Sequence, residues 1–440
     1  MVGQLVLALS ILVILHECGH FFPAKWFGTR VEKFYLFFDA YFSLVKKKIG
    51  ETEYGIGWLP LGGYVKIAGM IDESMDTEQM KMPPQPWEFR SKKAWQRLII
   101  MIGGVVVNFL LGFFIFGMIL WTWGRDYLPT NEAKYGMHMD SLLLKNGFRH
   151  GDRILAVGDV KLDKVEQGTF LKTILLKNAR SAVIERNGNV MGVPLSEEFV
   201  GEIQKNRGAK LRAFFEPQYP FKVDSIAHDG PAYGSGLKDG DQIIGINDVP
   251  TPFFQDFGPA AFKFKSQQVK ISAIRGGMDT VQIDLRLTNE GKIGIFSAPM
   301  KDFFNLGHEK FTLSQAMPTG FHDGMDFLSD QLTAFGQMFK GKIKAKDNLG
   351  SLISIGKMYG PVWDWKHFWT MTASLSLILA FMNLLPIPAL DGGYVLFLLW
   401  EVVTGKRVSD SFMEKAITVG FFLMLGLMVV ALGLDIFRQF

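Results

Sequence analysis

The sequence lacks the marks of several common protein classes. Cys18 is the one cysteine among 440 residues, which excludes a disulfide framework and any zinc site built from Cys-x-x-Cys pairs. The net charge of +4 is small and spread along the chain, so we expect no nucleic-acid partner. What the sequence does have is hydrophobicity, at 48% of its residues, and it is concentrated in a few segments.

Four long apolar segments stand out, at about 4–27, 98–123, 368–400 and 412–434. Each is long enough to cross a hydrocarbon core of about 30 Å. The first has no small-residue cleavage site after it, so we expect it to stay in place as an anchor. The sequence therefore predicts a polytopic α-helical membrane protein with four transmembrane helices and a lipid bilayer as its surroundings.

Basic residues predict how the segments are oriented. They cluster after the first span, before the second and after the third: Lys25, Arg30, Lys33, Lys46, Lys47, Lys48, then Arg90, Lys92, Lys93, Arg97, then Lys406 and Arg407. Since such clusters stay in the cytoplasm, 28–97 is expected there. Both termini and the polar region between spans two and three are then expected outside.

A His-Glu-x-x-His motif interrupts the first apolar segment. Ionisable groups are costly in hydrocarbon, so His16, Glu17 and His20 need a functional reason to be there. Residues four apart share one helix face, so the two histidines can bind one Zn²⁺. Glu17 can take a proton from water at that metal. The alternative is a soluble helix whose histidines are solvated.

The third apolar segment contains one charged residue, Asp391, and it lies where the helical pattern breaks. Two prolines and two glycines interrupt the run Asn383–Gly393, and a broken helix at membrane depth is tolerated where it lines a protein cavity. A catalytic zinc usually has three protein ligands, so Asp391 is the candidate for the third. The alternative is that Asp391 only caps a cytoplasmic helix.

The polar region contains an internal repeat. Asn146–Val160 aligns without gaps on Ser235–Val249, at a constant offset of 89 residues and with Gly-Asp followed by an apolar strand in both. This pattern resembles the PDZ domain, in an α+β or β-barrel form. Such domains bind extended peptides or C-termini along a strand. Two alternatives stay open, peptide binding and a role as a spacer or size filter.

The two distant motifs together resemble one family. His16-Glu-Cys-Gly-His20 and Asn383-x-x-Pro-x-Pro-x-Leu-Asp-Gly392 are similar to those of the site-2 protease family of intramembrane zinc metalloproteases. The likeness extends to the segment Glu53–Lys66, which matches that family's membrane-associated β-hairpin, and to Gly103, Gly104 and Asn108 in the second span. The tandem PDZ-like pair also lies where a bacterial subgroup of the family has it.

The resemblance implies a role for each matching residue. His16, His20 and Asp391 would bind one zinc ion, and Glu17 would act as general base and acid. Asn383 would hold the substrate backbone or the oxyanion, unless it only makes an interhelical hydrogen bond. The hairpin, about 51–70, would bind an unwound substrate through Gly62, Gly63 and Tyr64, unless it only covers the cytoplasmic mouth.

The expected domains follow from these segments. They are a first helix, a cytoplasmic-side segment, a second helix, two PDZ-like domains, an outside helical linker and two further spans: 1–27, 28–97, 98–123, 127–217, 218–300, 301–367, 368–400 and 412–434. The resemblance implies cleavage of single-pass membrane proteins, such as an anti-sigma factor or remnant signal peptides, in the bacterial inner membrane. The alternative function is a catalytically silent scaffold that binds peptides.

Overall fold

The computed structural model describes residues 1–60, 62–70, 82–205, 214–228, 230–340 and 352–437. It divides into two compact units. The helical unit combines Met1–Gly124 with Lys310–Phe440, and the β unit is Arg125–Glu309.

The helical unit begins with a long helix, a small sheet and a second long helix. These are α1 (Val2–Trp26), β1 (Val31–Leu36), β2 (Phe38–Ile49), β3 (Thr52–Leu59), β4 (Tyr64–Ile67) and α2 (Ala94–Trp123). The start of α2 is fixed by Gln96, whose side chain accepts a hydrogen bond from the Lys93 backbone N–H at 3.1 Å. Its end is set by Gly124, which has a φ of +59° that few other residues adopt.

The sheet of the helical unit differs from the expected hairpin over 51–70. Its strand order is β2-β3-β1-β4, so β3 and β4 lie on opposite sides of β1 and do not pair with each other. Strand β1 pairs in parallel with β3 and antiparallel with β4. The hairpin prediction was therefore wrong for this segment, because local turn residues carry no signal for a strand inserted from earlier in the chain. Leu61, between β3 and β4, lies outside the described residues.

The first half of the β unit is a small α+β module. Its elements are β5 (Arg125–Tyr127), β6 (Met137–Met139), α3 (Ser141–Lys145), β7 (Arg153–Val157), β8 (Val160–Lys161), α4 (Gln167–Leu176), β9 (Ser181–Arg186), β10 (Asn189–Pro194) and α5 (Glu197–Lys205). The main sheet has the order β10-β9-β7-β8. Apolar side chains from this sheet and α4 form one core, in which Phe148, Ile154, Phe170 and Ile184 are almost fully buried.

The second half has its own sheet and core. After β11 (Phe215–Pro217), which pairs with β6 of the first half, its elements are β12 (Phe221–Ile226), β13 (Gln242–Ile246), β14 (Val249–Pro250), α6 (Phe254–Phe262), β15 (Gln268–Arg275), β16 (Asp279–Arg286) and β17 (Ile295–Ser297). The last strand of the unit, β18 (Gly307–Glu309), pairs with β5 of the first half. The main sheet has the order β16-β15-β13-β12-β17, with β14 paired to β13. Both main sheets are open in the described residues, so the α+β form of the prediction applies and the barrel form does not.

The two modules carry matching ion pairs at matching positions. Asp152 accepts two hydrogen bonds from Arg186, both at 2.7 Å, and Asp241 accepts two from Arg275 at 2.9 and 2.7 Å. Each arginine also donates to the carbonyl of a turn glycine, Gly147 or Gly236. The Arg275 guanidinium holds the pKa of the Asp241 carboxyl below its usual value. These bonds tie the Gly-Asp turn of each module to a strand 34 residues further along.

The expected linker 301–367 begins later than predicted. Phe304 lies in the core of the first module, and β18 pairs antiparallel with β5. His308 on β18 and Asp126 on β5 also form an ion pair, with 2.7 Å between His308 Nδ1 and Asp126 Oδ1. Residues 301–309 are therefore part of the β unit, through a pairing between strands about 180 residues apart.

The rest of the helical unit consists of α7 (Leu313–Phe339), α8 (Leu352–Met358), α9 (Trp365–Leu384), α10 (Asp391–Thr404) and α11 (Asp410–Phe437). Helix α7, expected within the linker, packs on α2, with the rings of Phe113 and Phe321 4.6 Å apart. The third apolar segment forms two helices, α9 and α10, with a break at 385–390.

Four helices in the described residues are long and apolar enough to cross a membrane. They are Val2–Trp26, Ala94–Trp123, Trp365–Leu384 and Ser411–Asp435, with mean hydropathy of 2.0, 2.6, 1.2 and 2.5. Such values are typical of helices whose side chains face lipid. The number of spans agrees with the prediction.

Candidate metal centre

Helix α1 presents two imidazoles on one face. His16 and His20 are one turn apart, and their rings meet edge to face with centroids 4.9 Å apart. Their Nε2 atoms are 3.3 Å from each other. His20 is 7% exposed, so this pair lies inside the helical unit although each ring is polar.

Asp391 is brought to the same point by the break between α9 and α10. The chain leaves α9 after Leu384, passes through Pro386 and Pro388, and reaches Ala389, whose φ of +82° turns the backbone sharply. Asp391 then opens α10. Its Oδ2 atom lies 3.2 Å from His16 Nε2 and 3.4 Å from His20 Nε2.

The three ligand atoms fit a zinc ion. Zinc binds nitrogen and oxygen at about 2.0–2.1 Å in a tetrahedral arrangement, which puts neighbouring ligand atoms ~3.3 Å apart. The three observed separations are 3.2, 3.3 and 3.4 Å. Asp391 Oδ2 is also buried without a protein hydrogen bond in the described residues. His16, His20 and Asp391 form the one cluster of three or more potential ligands found in that part of the chain.

Helix α2 supplies partners for the other nitrogen of each ring. His20 Nδ1 lies 2.8 Å from the backbone carbonyl oxygen of Ile100, which can only accept. The proton of His20 is therefore on Nδ1, and Nε2 presents a lone pair to the cluster. His16 Nδ1 lies 3.2 Å from the side-chain amide of Asn108, which is 1% exposed.

Three glycines allow α1 and α2 to come this close. A Cβ on Gly19 or on Gly103 would overlap the backbone of the other helix. A Cβ on Gly104 would lie against both imidazoles, 2.7 Å from Cε1 of His16. Since real Cβ atoms do not approach other atoms so closely, the position of the two rings depends on these residues having no side chain.

Glu17 is separate from the ligand cluster. It follows His16 by one residue and so lies about 100° round the helix from it. Its side chain is 8% exposed and packs against Gly63, where a Cβ would lie 3.5 Å from Glu17 Cγ. Glu17 is therefore a buried carboxylate next to the candidate ligands and is not one of them.

One of the predicted substrate-binding residues, Gly63, lies against Glu17. Gly63 lies so close to α1 and β1 that a Cβ there would be 2.5 Å from Val13 on α1 and 2.7 Å from the Tyr35 carbonyl oxygen on β1. Tyr64 begins β4, stacks on Tyr35 and donates a hydrogen bond to Asp39 at 2.9 Å. Burial and the nearby Asp39 carboxylate raise the pKa of Tyr64, so its phenol stays protonated.

Gly62 precedes these residues, and Asn383 approaches the cluster from α9. The Asn383 amide Nδ2 lies 3.5 Å from His16 Nε2. The structure therefore brings Asn383 to the three ligand residues and brings Gly63 to Glu17.

Asn108 is the main residue whose contact the sequence did not predict. The family resemblance includes Asn108 in the second span and implies no role for it. A signal was present, because Asn108 is the one residue with a hydrogen-bonding side chain between Leu98 and Leu120. Polar groups at membrane depth need partners, so its position could have directed attention to the histidines.

Comparison with known proteins identifies the family. The model of Peptidase family M50 matches residues 4–427. The chain therefore belongs to peptidase family M50, which confirms the resemblance to the site-2 proteases.

Relatives match over nearly the whole chain. A Haemophilus influenzae protein named regulator of sigma E protease is 26% identical over 449 residues, covering 99% of this chain and 98% of that protein. A Vibrio cholerae protein named as a zinc metalloprotease is 26% identical over 460 residues, covering 98% and 97%. A Borreliella burgdorferi protein named in the same way is 28% identical over 439 residues, covering 98% and 96%. The chain is a zinc metalloprotease and an integral membrane protein.

Proposed function

We propose that this protein is an intramembrane zinc endopeptidase of a bacterial inner membrane that cuts transmembrane segments of single-pass proteins. The observation that carries the proposal is the convergence of His16, His20 and Asp391, with Glu17 beside them. His16, Glu17 and His20 lie on a helix apolar enough to span a bilayer, and Asp391 follows the end of another such helix by a few residues. Regulated proteolysis of an anti-sigma factor, or removal of remnant signal peptides, would use this activity.

The proposed roles follow from the geometry. His16, His20 and Asp391 hold one zinc ion through the three atoms that face one another. The ion, when bound, supplies Lewis-acid polarisation of a carbonyl and makes water a stronger acid. Glu17 takes the proton of the attacking water and passes it to the leaving amine. Asn383, at 3.5 Å from His16, is near enough to hold the substrate carbonyl in place.

The sheet of the helical unit is proposed to hold the substrate in an extended form. A transmembrane helix hides its peptide bonds in its own hydrogen bonds, so it must unwind before hydrolysis. Strand β4 is at one edge of the described sheet, and the preceding Gly63 packs against Glu17. An unwound segment that adds to this edge pairs its backbone with β4 and brings a carbonyl to the metal centre. Gly62 and Tyr64 flank that point of contact.

The β unit is proposed to be a tandem of PDZ-like modules, outside the membrane, that controls access of substrates. The matched pairs Asp152–Arg186 and Asp241–Arg275 support two copies of one module. A cleft of about 770 Å³ lies within this unit, lined by residues of both modules, among them His138, His150, Phe254, Lys292 and Ile295. A cleft of this size suits a short extended peptide and excludes a folded domain.

Substitution of the proposed base tests the enzymatic mechanism. Glu17→Gln keeps the shape of the side chain and removes its ability to accept a proton, so cleavage of a model transmembrane substrate should fall by about 10²–10⁴. Bound zinc, measured on the same purified samples, should stay at the wild-type level because Glu17 is outside the ligand cluster. Full cleavage by the variant would refute the role of Glu17.

Deletion of the β modules tests the control of access. Removing the whole β unit, residues 125–309, should allow cleavage of substrates that still carry a bulky outer domain, while short substrates are cut as before. The comparison is a series of substrates with outer domains of increasing size, assayed with the full chain and the deletion. An unchanged size limit would count against the filter and leave the metal centre proposal intact.

A further inference from the structure

Asn108 lies at the centre of α2 with its side chain against the metal centre. It is 1% exposed, and its Nδ2 atom is 3.2 Å from His16 Nδ1. Its Oδ1 atom is buried without a hydrogen-bond partner in the described residues. A side-chain amide has the same shape at both ends, so the chemistry of its neighbours decides which end faces His16.

The second nitrogen of the His16 ring, Nε2, determines which end of the Asn108 amide should face Nδ1. His16 Nε2 is the atom that approaches Asp391 and His20, so Nε2 must carry a lone pair when a metal is bound. The ring proton of neutral His16 is then on Nδ1, which becomes a donor. A donor facing Asn108 Nδ2 would meet another donor, and Oδ1 would stay buried without a partner. Rotating the amide by 180° gives both groups a partner.

We infer that Asn108 is a positioning residue whose Oδ1 accepts a hydrogen bond from Nδ1 of His16 and holds that ring in its metal-binding tautomer. The inference rests on the proposed zinc site. It gives α2 the same task for both histidines, since the Ile100 carbonyl does this for His20 at 2.8 Å. The two acceptors converge because helix carbonyls point towards the C-terminus and side chains tilt towards the N-terminus.

A hydrogen bond from α9 helps to fix the position of the Asn108 backbone. Ser376 is fully buried and donates a hydrogen bond from Oγ to the Asn108 backbone carbonyl at 2.7 Å. This bond involves the main chain of Asn108 and not its amide group. Ser376 therefore offers a matched control, in which a polar contact at the same residue is lost and the acceptor for His16 remains.

The test uses the full-length protein in detergent and measures zinc affinity by competition with a zinc chelator. Asn108→Leu keeps the approximate size of the side chain and removes the acceptor, so the affinity should fall by about 10–100-fold. Asn108→Asp restores an acceptor and should bind zinc within a few-fold of wild type. Ser376→Ala should also bind like wild type.

The metal-free proteins supply a second readout. A purely structural role for Asn108 would lower the melting temperature of the metal-free Leu and Asp variants together and leave affinity unrelated to the acceptor. Wild-type affinity in Asn108→Leu, or equal losses in the Leu and Asp variants, would overturn the inference. Asn108→Ala replaces the Leu variant if that protein does not fold.

One further variant separates this inference from the proposal beneath it. His16→Ala should lower the zinc affinity by a larger factor than Asn108→Leu does. If His16→Ala binds zinc as wild type does, the proposed metal site is wrong. If His16→Ala loses zinc and Asn108→Leu does not, only the role of Asn108 is wrong.

Discussion

The two units use aspartates with buried carboxylate oxygens in opposite ways. In the helical unit, Asp391 Oδ2 faces two imidazoles and has no protein hydrogen bond among the described residues. In the β unit, Asp241 accepts hydrogen bonds from the Arg275 guanidinium and from the Lys238 backbone N–H. The Asp391 carboxylate is therefore available to bind a metal ion, whereas the Asp241 carboxylate is already hydrogen-bonded within its own module.

This difference separates groups kept for chemistry from groups kept for folding. Burying a charged oxygen costs free energy unless a partner compensates for it. Arg275 compensates for Asp241, so that pair stabilises a turn. Among the described residues, Asp391 Oδ2 has contacts with the His16 and His20 imidazoles, an arrangement that suits a candidate metal ligand. The same substitution, Asp to Asn, should therefore have different consequences at different places in the molecule.

Asp391→Asn should have the largest effect. The amide keeps the size of the side chain but is a poor zinc ligand, so zinc affinity should fall by more than ~100-fold, the upper end for loss of a ligand's supporting contact. Cleavage of a transmembrane substrate should be lost with the metal. Chelator competition and the cleavage assay check both, with Asp241→Asn as the control that keeps zinc. Tight zinc binding by Asp391→Asn would show that this carboxylate is not needed to bind the metal.

Asp241→Asn should have an intermediate effect, confined to the stability of the second module. Loss of hydrogen bonds between a carboxylate and charged or backbone donors should cost about 2 kcal/mol at neutral pH. Hydrogen exchange across 236–275, measured in the full-length protein, should show faster local opening. Unchanged exchange at neutral pH would contradict a stabilising role for the pair.

Acid should remove the difference between wild type and Asp241→Asn. Because the pKa of Asp241 is lowered in the folded state, its carboxylate stabilises the module above the unfolded pKa of about 3.9. That contribution is lost as the pH falls through the lower folded pKa. The exchange rates of the two proteins should therefore begin to converge below about pH 4 and become equal only below the folded pKa of Asp241. A difference that persisted at the lowest pH would point to a cause other than charge.

Asp163→Asn should have the smallest effect. Asp163 pairs with Lys161 at 3.1 Å, but the two side chains are 76% and 82% exposed. Solvent screens such pairs, so the free energy of unfolding should change by less than about 0.5 kcal/mol. Thermal melts of the full-length protein should overlay. A large loss would mean that exposure is the wrong guide to which aspartates matter.

Much of the architecture followed from pattern alone. The number of apolar helices, the break in the third segment and the residues that meet at the candidate metal centre could be predicted, because each depends on a short stretch of chain. The pairing of His16 and His20 needs only the helical period, and Asp391 is the one charge in its segment.

What could not be predicted depends on distant parts of the chain. Strand β1 lies between β3 and β4, and no turn signal reports a parallel neighbour. Strand β18 pairs with β5 across most of the β unit, which moved the expected boundary at 301. The contact of Asn108 with His16 exists only because Gly19 and Gly103 let α1 and α2 touch. Such contacts are set by packing, and a single sequence does not reveal packing partners.

The contact of Gly19 with Gly103 has a consequence for the choice of metal. Two helix backbones in direct contact cannot move closer, and the imidazoles above them rest against Gly104. The three candidate ligand atoms lie at spacings that suit a small tetrahedral ion, and the glycine contacts limit how far the two imidazoles can move from them. A larger ion such as calcium, which prefers more oxygen ligands at greater distances, would require the imidazoles to shift, and their contact with Gly104 limits any movement towards α2. The close contacts at the glycines therefore favour a small ion at this site over a larger one.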